Sequence, residues 1–297
     1  MPIHDALGDR MKEYECRNQY FLQRRTPVII RVDGKAFHTF TRGFQKPFDE
    51  VLGNAMVRTM EYLCQNISGC IFGYVQSDEI TLVLQDYRKL NTDAWFGYRT
   101  DKLCSIAASM ATMAFNRCFL DEYEKWYFDH IDFPNEFGCD AVNPKDRELD
   151  KAYVASLKRG AMFDARCFNI PKEEVCNCIY WRQLDATRNS IQMVGQANFS
   201  HAELQEKSCN EIQDMLHEQR GINWNDFPTR WKRGVACRKV PVTTTVTEKN
   251  IEDEDGEPNT IGIATTRYTW VTDYEMPILK GEDRAYVDNE VWYVETE

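Results

Sequence analysis

At 297 residues, 43% hydrophobic and 28% charged, the chain carries enough apolar material for a sizeable core, as one large domain or two small ones. A formal net charge of −11 argues against general adhesion to nucleic acid, although Arg24-Arg25, Lys158-Arg159, Arg230 with Lys232-Arg233, and Arg238-Lys239 leave room for a local basic track. No apolar run reads as a membrane span and no signal-peptide pattern opens the chain; eleven cysteines without a Cys-x-x-Cys pair suit a reducing cytoplasm rather than a disulfide framework or zinc site.

Residues 5 to 24 alternate charges with Leu7, Met11, Tyr14 and Phe21, which predicts an amphipathic helix. Val28, Ile29, Ile30 and Val32 then predict a short buried strand that stops at Asp33-Gly34. With Lys35 and His38 behind it, the strand-end carboxylate suits a cation beside a phosphate; an Asp-Gly pair alone also suits a plain turn. A loop is expected from Thr39 to Pro47. Phe48, Val51, Leu52, Ala55, Met56, Thr59, Met60 and Leu63 follow at helical spacing, with Asp49 in the first turn where the helix dipole favours an acid.

Ile71 to Leu84 holds two apolar runs around Gln76-Ser77-Asp78-Glu79, the pattern of a β-hairpin with acids at its tip. Such a tip is also compatible with a solvated turn. Taken with Asp33, it places two carboxylates at the ends of neighbouring strands, where they can share two Mg²⁺ ions, neutralise phosphate charge and activate an attacking oxygen. Glu79 alternates away from Asp78 and is expected to be a neighbour of the site.

Residues 99 to 119 predict a second helix rich in small residues, with Arg99 and Lys102 at its start facing the acids. Residues 120 to 160, with Pro134, Gly138 and Pro144, read as a largely irregular insertion or helix-loop excursion. Ala161 to Phe168 completes a β-α-β-β-α-β order, the ferredoxin-like arrangement. Helices are expected from Lys172 to about Phe199 and from Ala202 to Gln219, the latter closed by Gly221. Val240–Thr247 and Thr260–Val271 flank an acidic loop from Glu252 to Glu257 and predict a C-terminal hairpin with a solvated tip. The expected class is therefore α+β. A palm-like core with an N-terminal helix spans 1–170, a helical extension 171–239, and a hairpin extension 240–297.

Arg31-Val32-Asp33-Gly34-Lys35-Ala36-Phe37-His38, Lys46-Pro47-Phe48-Asp49 and Gly73-Tyr74-Val75-Gln76-Ser77-Asp78-Glu79 resemble, in order and spacing, the tRNA-His guanylyltransferase superfamily. Phe163-Asp164-Ala165-Arg166, Trp181-Arg182-Gln183, Gly221-Ile222-Asn223-Trp224-Asn225 and Lys232-Arg233-Gly234 continue the likeness to about residue 237. The resemblance implies a polymerase-type palm that adds nucleotides to the 5′ end of tRNA in the 3′-to-5′ direction. It implies that Asp33, Asp78 and the Gly34 carbonyl bind two Mg²⁺ ions. Residues Asp33, Gly34, Lys35, Ala36, Phe37 and His38, with Ser77 and Asp78, would contact GTP or another NTP. By the same likeness Lys46, Asp49 and Lys102 fall near the triphosphates, and Arg182, Asn189, Lys232 and Arg233 would meet tRNA. A cytoplasmic homotetramer is implied as well.

One stretch departs from the eukaryotic-type enzymes. They carry His-Ile-Asn-Asn shortly after Trp-Arg-Gln, and Thr187-Arg188-Asn189-Ser190 stands there instead, retaining only Asn189. The chain thus resembles bacterial-type relatives that repair 5′-truncated tRNA by copying the opposite strand, with ATP activating 5′-monophosphate ends. The alternatives are addition of G−1 to tRNA-His, a nucleotidyl cyclase built on the same palm, and a non-catalytic RNA-binding scaffold, which would not need both acids.

Overall fold

The computed structural model describes residues 5–132, 143–247, 251–252, 258–259 and 262–292. In chain order the elements are α1 (Ala6–Cys16), β1 (Val28–Gly34), α2 (Phe37–Phe40), α3 (Glu50–Asn66), β2 (Cys70–Gln76), β3 (Glu79–Leu84), α4 (Thr100–Tyr127) and α5 (Pro144–Arg159). They continue with β4 (Phe163–Asn169), α6 (Lys172–Asn198), α7 (His201–Leu204), α8 (Cys209–Arg220), α9 (Thr229–Arg233) and β5 (Val235–Thr247). The two-residue strands β6 (Ile251–Glu252) and β7 (Pro258–Asn259) pair with each other, and β8 (Gly262–Asp273) and α10 (Ala285–Trp292) follow.

The principal sheet has the order β4-β1-β3-β2-β5-β8, and every neighbouring pair is antiparallel. Alternation along β1 sends Val28, Ile30 and Val32 into a core with α3 and α4, which also holds Met60, Leu63 and Phe115. Ile29 points the other way, into a second core with Val83, Val175, Ile179, Val287 and Val291 from β3, α6 and α10. Helices cover both faces, so β1 is apolar at consecutive positions and lacks the hydrophobic-polar rhythm of a half-exposed strand. A third cluster joins α6 to α8 through Ile191, Val194, Phe199, Ile212 and Leu216.

Several expectations change. The N-terminal helix ends at Cys16 rather than near residue 24, and none of its residues is buried. The segment expected to be irregular contains α5, which starts at the Asn143 cap with Pro144 behind it and ends at Gly160 (φ 71°). Its period is faint in the sequence because only Tyr153 and Ser156 are buried. Pro134 and Gly138 of that segment, and residues 253–257 of the acidic loop, lie outside the described residues. The boundary drawn at 239/240 falls inside β5, which pairs with β2 from Val235 onward; the hairpin thus continues the main sheet.

Helix α4, prolonged by a π turn to Ile131, is long and apolar enough by length and composition to cross a membrane. Here Leu103, Ala107, Ala111, Phe115 and Phe119 are buried in the first core.

Candidate active site

β1 ends at Asp33-Gly34, and the β2–β3 hairpin turns at Ser77-Asp78, where Ser77 takes a left-handed φ of 49°. The two strand ends are tied by a hydrogen bond in which the Gly34 amide donates to the Asp78 carbonyl (3.0 Å). Gly34 is required sterically: a Cβ there would meet the Phe37 ring at 2.3 Å. That close approach lets the chain fold back at once, through left-handed Ala36 (φ 54°), into α2. Phe37 is buried in the aromatic core, while Lys35, Ala36 and His38 are exposed beside Asp33.

The electrostatics of the acid pair are unfavourable by themselves. Burial raises the Asp78 carboxyl above its ordinary pKa, and the charge of Asp33 raises it further; its own amide and the Ser77 hydroxyl (3.2 Å) only partly oppose this. Two hard carboxylates that repel each other at a partly open strand end have the donor chemistry of a magnesium site completed by phosphate oxygens. The residues therefore fit such an ion. Among the described residues, no cluster of three or more His, Cys, Asp or Glu side chains is arranged to hold a metal by itself.

On the same sheet face, register places Asp33 between Glu79 of β3 and Asp164 of β4. Arg166 reaches Asp33 at 3.8 Å and Asp164 at 3.2 Å. Glu79, expected as a neighbour, is buried and accepts from Arg182 Nε at 2.6 Å, with Arg31 at 3.8 Å. Arg31, Asp164 and Arg166 were not singled out as site residues from the sequence. Besides their place in the shared motifs, strand pairing could have found them: Arg31 lies opposite Arg166, two positions before the Asp33–Asp164 pair.

Beside Ser77, on the β2–β5 side, an apolar cavity of about 90 Å³ is lined among others by Leu52, Met56, Val75, Asn189, Met193 and Trp231. Phe48 stacks on Trp231 at its wall, with ring centroids 5.0 Å apart. Asn189 is thus brought to the site, on this cavity.

Three residues expected at the site have other partners in the fold and a fourth lies away from it, although Asp49 also lines the cavity beside Ser77. Asp49 is the N-cap of α3, and its buried carboxylate accepts from Leu52 N (2.9 Å), Gln45 N (3.0 Å) and Tyr153 Oη (2.8 Å), so its oxygens serve the fold. Lys102 does not converge with the acids. Phe163 N bonds Thr112 Oγ1 and Cys167 Sγ meets the Thr100 carbonyl, so Lys102 lies about 15 Å down α4 from the level of Asp33. The reason is topological: β3 runs away from the Asp78 turn, and α4 must begin at the far end. Arg182 is buried between Glu79 and Asp185 and has no face for RNA. Lys232 is likewise buried and donates to the Asn225 carbonyl at 2.5 Å, and burial holds its pKa below the usual lysine value.

Lys46 is exposed, at the rim of grooves on both sides of the loop before α3. Arg233 is half-buried; its carbonyl accepts from Tyr74 Oη (2.7 Å) and its guanidinium bonds Thr229.

Paired acids at a strand end, a sharp glycine bend and an adjacent apolar cavity define a protein that handles a nucleotide or similar phosphorylated ligand. Comparison with known proteins makes this specific. The family model for tRNAHis guanylyltransferase matches residues 8–171. Solved structures of a bacterial tRNA(His) guanylyltransferase-like protein, one with ATP and one with GTP, superpose with TM-scores of 0.72 and 0.69; they are 36% and 35% identical and cover 97% of this chain and all of theirs. The tRNA(His) guanylyltransferase of Saccharomyces cerevisiae is 26% identical over 223 residues, 70% of this chain and 80% of the yeast one. The chain belongs to the tRNAHis guanylyltransferase family and is an enzyme of the nucleotidyltransferase class.

Proposed function

We propose that the chain extends the 5′ end of tRNA in the 3′-to-5′ direction, pairing each incoming nucleotide with the opposite strand, as in repair of 5′-truncated tRNA. The observation that carries this reading is the meeting of Asp33 and Asp78 at one sheet end, tied by the Gly34–Asp78 backbone bond. The strand order β4-β1-β3-β2 with α3 and α4 packed on one face supports a ferredoxin-like palm. Greater identity to the bacterial-type structures than to the yeast enzyme, together with Thr187-Arg188-Asn189-Ser190, supports repair over G−1 addition.

Asp33, Asp78 and the Gly34 carbonyl would hold two Mg²⁺ ions, which when bound neutralise phosphate charge and lower the pKa of an attacking hydroxyl. Lys35 and His38 are exposed beside the strand end, and with the exposed Lys46 of the loop before α3 they supply donors to the triphosphate. The cavity beside Ser77 receives the base, and Asn189 offers an amide at its wall. The 3′-hydroxyl of the nucleotide then attacks the 5′ phosphate of the tRNA, made electrophilic as an adenylate from ATP or as an existing triphosphate, and AMP or pyrophosphate leaves. Base pairing supplies sequence choice, so the protein has only to hold tRNA shape and backbone.

The exposed Leu7, Met11 and Tyr14 of α1 support the further reading of a homotetramer, and eleven cysteines without a Cys-x-x-Cys pair support a cytoplasmic one. Extension of a 5′-truncated tRNA with each of the four opposite bases tests the function. Incorporation that follows Watson–Crick pairing is expected; addition of G regardless of the opposite base, or a cyclic product from GTP without RNA, would overturn it.

A further inference from the structure

Trp181 stands on α6 with 54% of its surface exposed, an unusual position for so large an apolar side chain. It is nevertheless held in place. The guanidinium of Arg31 lies over its ring at 5.6 Å and that of Arg182 at 4.4 Å. Both arginines also approach the Glu79 carboxylate and both are largely buried, so the half-exposed indole rests on a fixed support.

This ring borders the acid pair. Arg31 is two residues before Asp33 on the same strand and face, about 7 Å away between Cα atoms. Opposite Arg31 in register stands Arg166, half exposed, which reaches Asp33 and Asp164. A fixed aromatic surface and two arginines therefore run along β1 and β4 up to Asp33.

We propose that Trp181, held by Arg31 and Arg182 and with Arg166 on the neighbouring strand, is the stacking platform for the terminal base of the RNA strand whose 5′ end is extended. The inference rests on the transferase reading above. An indole stacks on any base, and the half-exposed Arg166 is placed to take the phosphodiester, which suits an enzyme whose sequence choice comes from pairing. The platform is open, as the end of a polymer anchored elsewhere requires. A free nucleotide needs walls, and these exist about 12 Å along α6, where Asn189 lines the cavity on the β2–β5 side.

The test is steady-state extension of a 5′-truncated tRNA by the full chain and by Trp181→Ala and Trp181→Phe, with tRNA and nucleoside triphosphate varied separately. Trp181→Ala should raise KM for tRNA about tenfold or more and leave KM for the triphosphate within about twofold. Trp181→Phe, which keeps a ring in the same place, should recover most of the loss. A short acceptor-stem hairpin RNA with a 5′ gap should quench tryptophan emission in the wild type and much less in Trp181→Phe. An unchanged tRNA KM in Trp181→Ala, or a rise confined to the triphosphate, would overturn the assignment. A wild-type chain that extends no tRNA would overturn the transferase reading itself, so the two failures are told apart.

Discussion

Asp78 and Asp49 are both poorly exposed acids at element ends, both were expected on the nucleotide, and burial raises the pKa of both. Their surroundings differ in kind. Asp49 receives three neutral donors from its own loop, the first turn of α3 and Tyr153 of α5. Asp78 has its own amide and a serine hydroxyl, and faces the charge of Asp33. A satisfied buried acid is architecture. One left short of donors and opposed by a like charge is poised for a cation and a ligand. Glu122 gives a third case: burial works against its charge, but Lys125 at 2.7 Å and Arg58 at 2.9 Å outweigh it and hold its pKa below the usual range.

The largest effect should come from the acid pair. Asp33→Ala or Asp78→Asn should lower nucleotidyl transfer by on the order of 10³-fold or more, with an unchanged circular dichroism spectrum. Near-wild-type turnover in either would erase the distinction between Asp78 and Asp49. Chelation of divalent cations should have the same consequence without any substitution, and added Mg²⁺ should reverse it.

Arg182→Ala comes next, as a loss of stability rather than of RNA affinity. Removing it leaves the buried Glu79 with only Arg31 at 3.8 Å, while Asp185 keeps Arg188, at a cost of about 3–5 kcal/mol. Urea unfolding reads this directly. A variant as stable as wild type would show that the Glu79 ion pair does not hold the fold. Asp49→Ala should cost about 2 kcal/mol, from the lost cap and the stranded Tyr153 hydroxyl, with kcat nearly unchanged well below the melting temperature.

The smallest effect concerns Glu122 and is a matter of pH. Its folded pKa lies below its unfolded one, so its stabilisation is present above the ordinary carboxylate range and disappears as pH falls through the folded value. Glu122→Gln should therefore be less stable than wild type by about 1 kcal/mol at pH 7, with the deficit shrinking as pH falls below the ordinary carboxylate range, as read by thermal melts across pH. A deficit that persists at low pH would mean that packing, not charge, is what Glu122 supplies.

Much of the framework was legible because it is local. β-branched residues at 28–32, the helical spacing from Phe48 to Leu63, and Gly221 as the stop of α8 (φ 65°) each act through neighbours in the chain. So did the acid pair, since Asp-Gly and Ser-Asp mark the ends of strands whose apolar runs are plain. What stayed hidden depends on partners far away in sequence. Asp49 meets Tyr153 across 104 positions and Arg182 meets Glu79 across 103; neither satisfaction leaves a trace in spacing. α5 was missed because too few of its residues are buried to mark a face.

The sequence alone determined which segments are strands and helices and which two acids end adjacent strands, because backbone preference and hydrophobic period are properties of neighbouring residues. Tertiary structure alone decided which polar groups were free for chemistry. It spent Asp49, Arg182 and Lys232 on buried partners, carried Lys102 to the end of α4 away from the acids, and left Asp78 short of donors within the field of Asp33. A side chain's availability is what remains after its long-range partners are counted, and those are fixed only when the sheet closes.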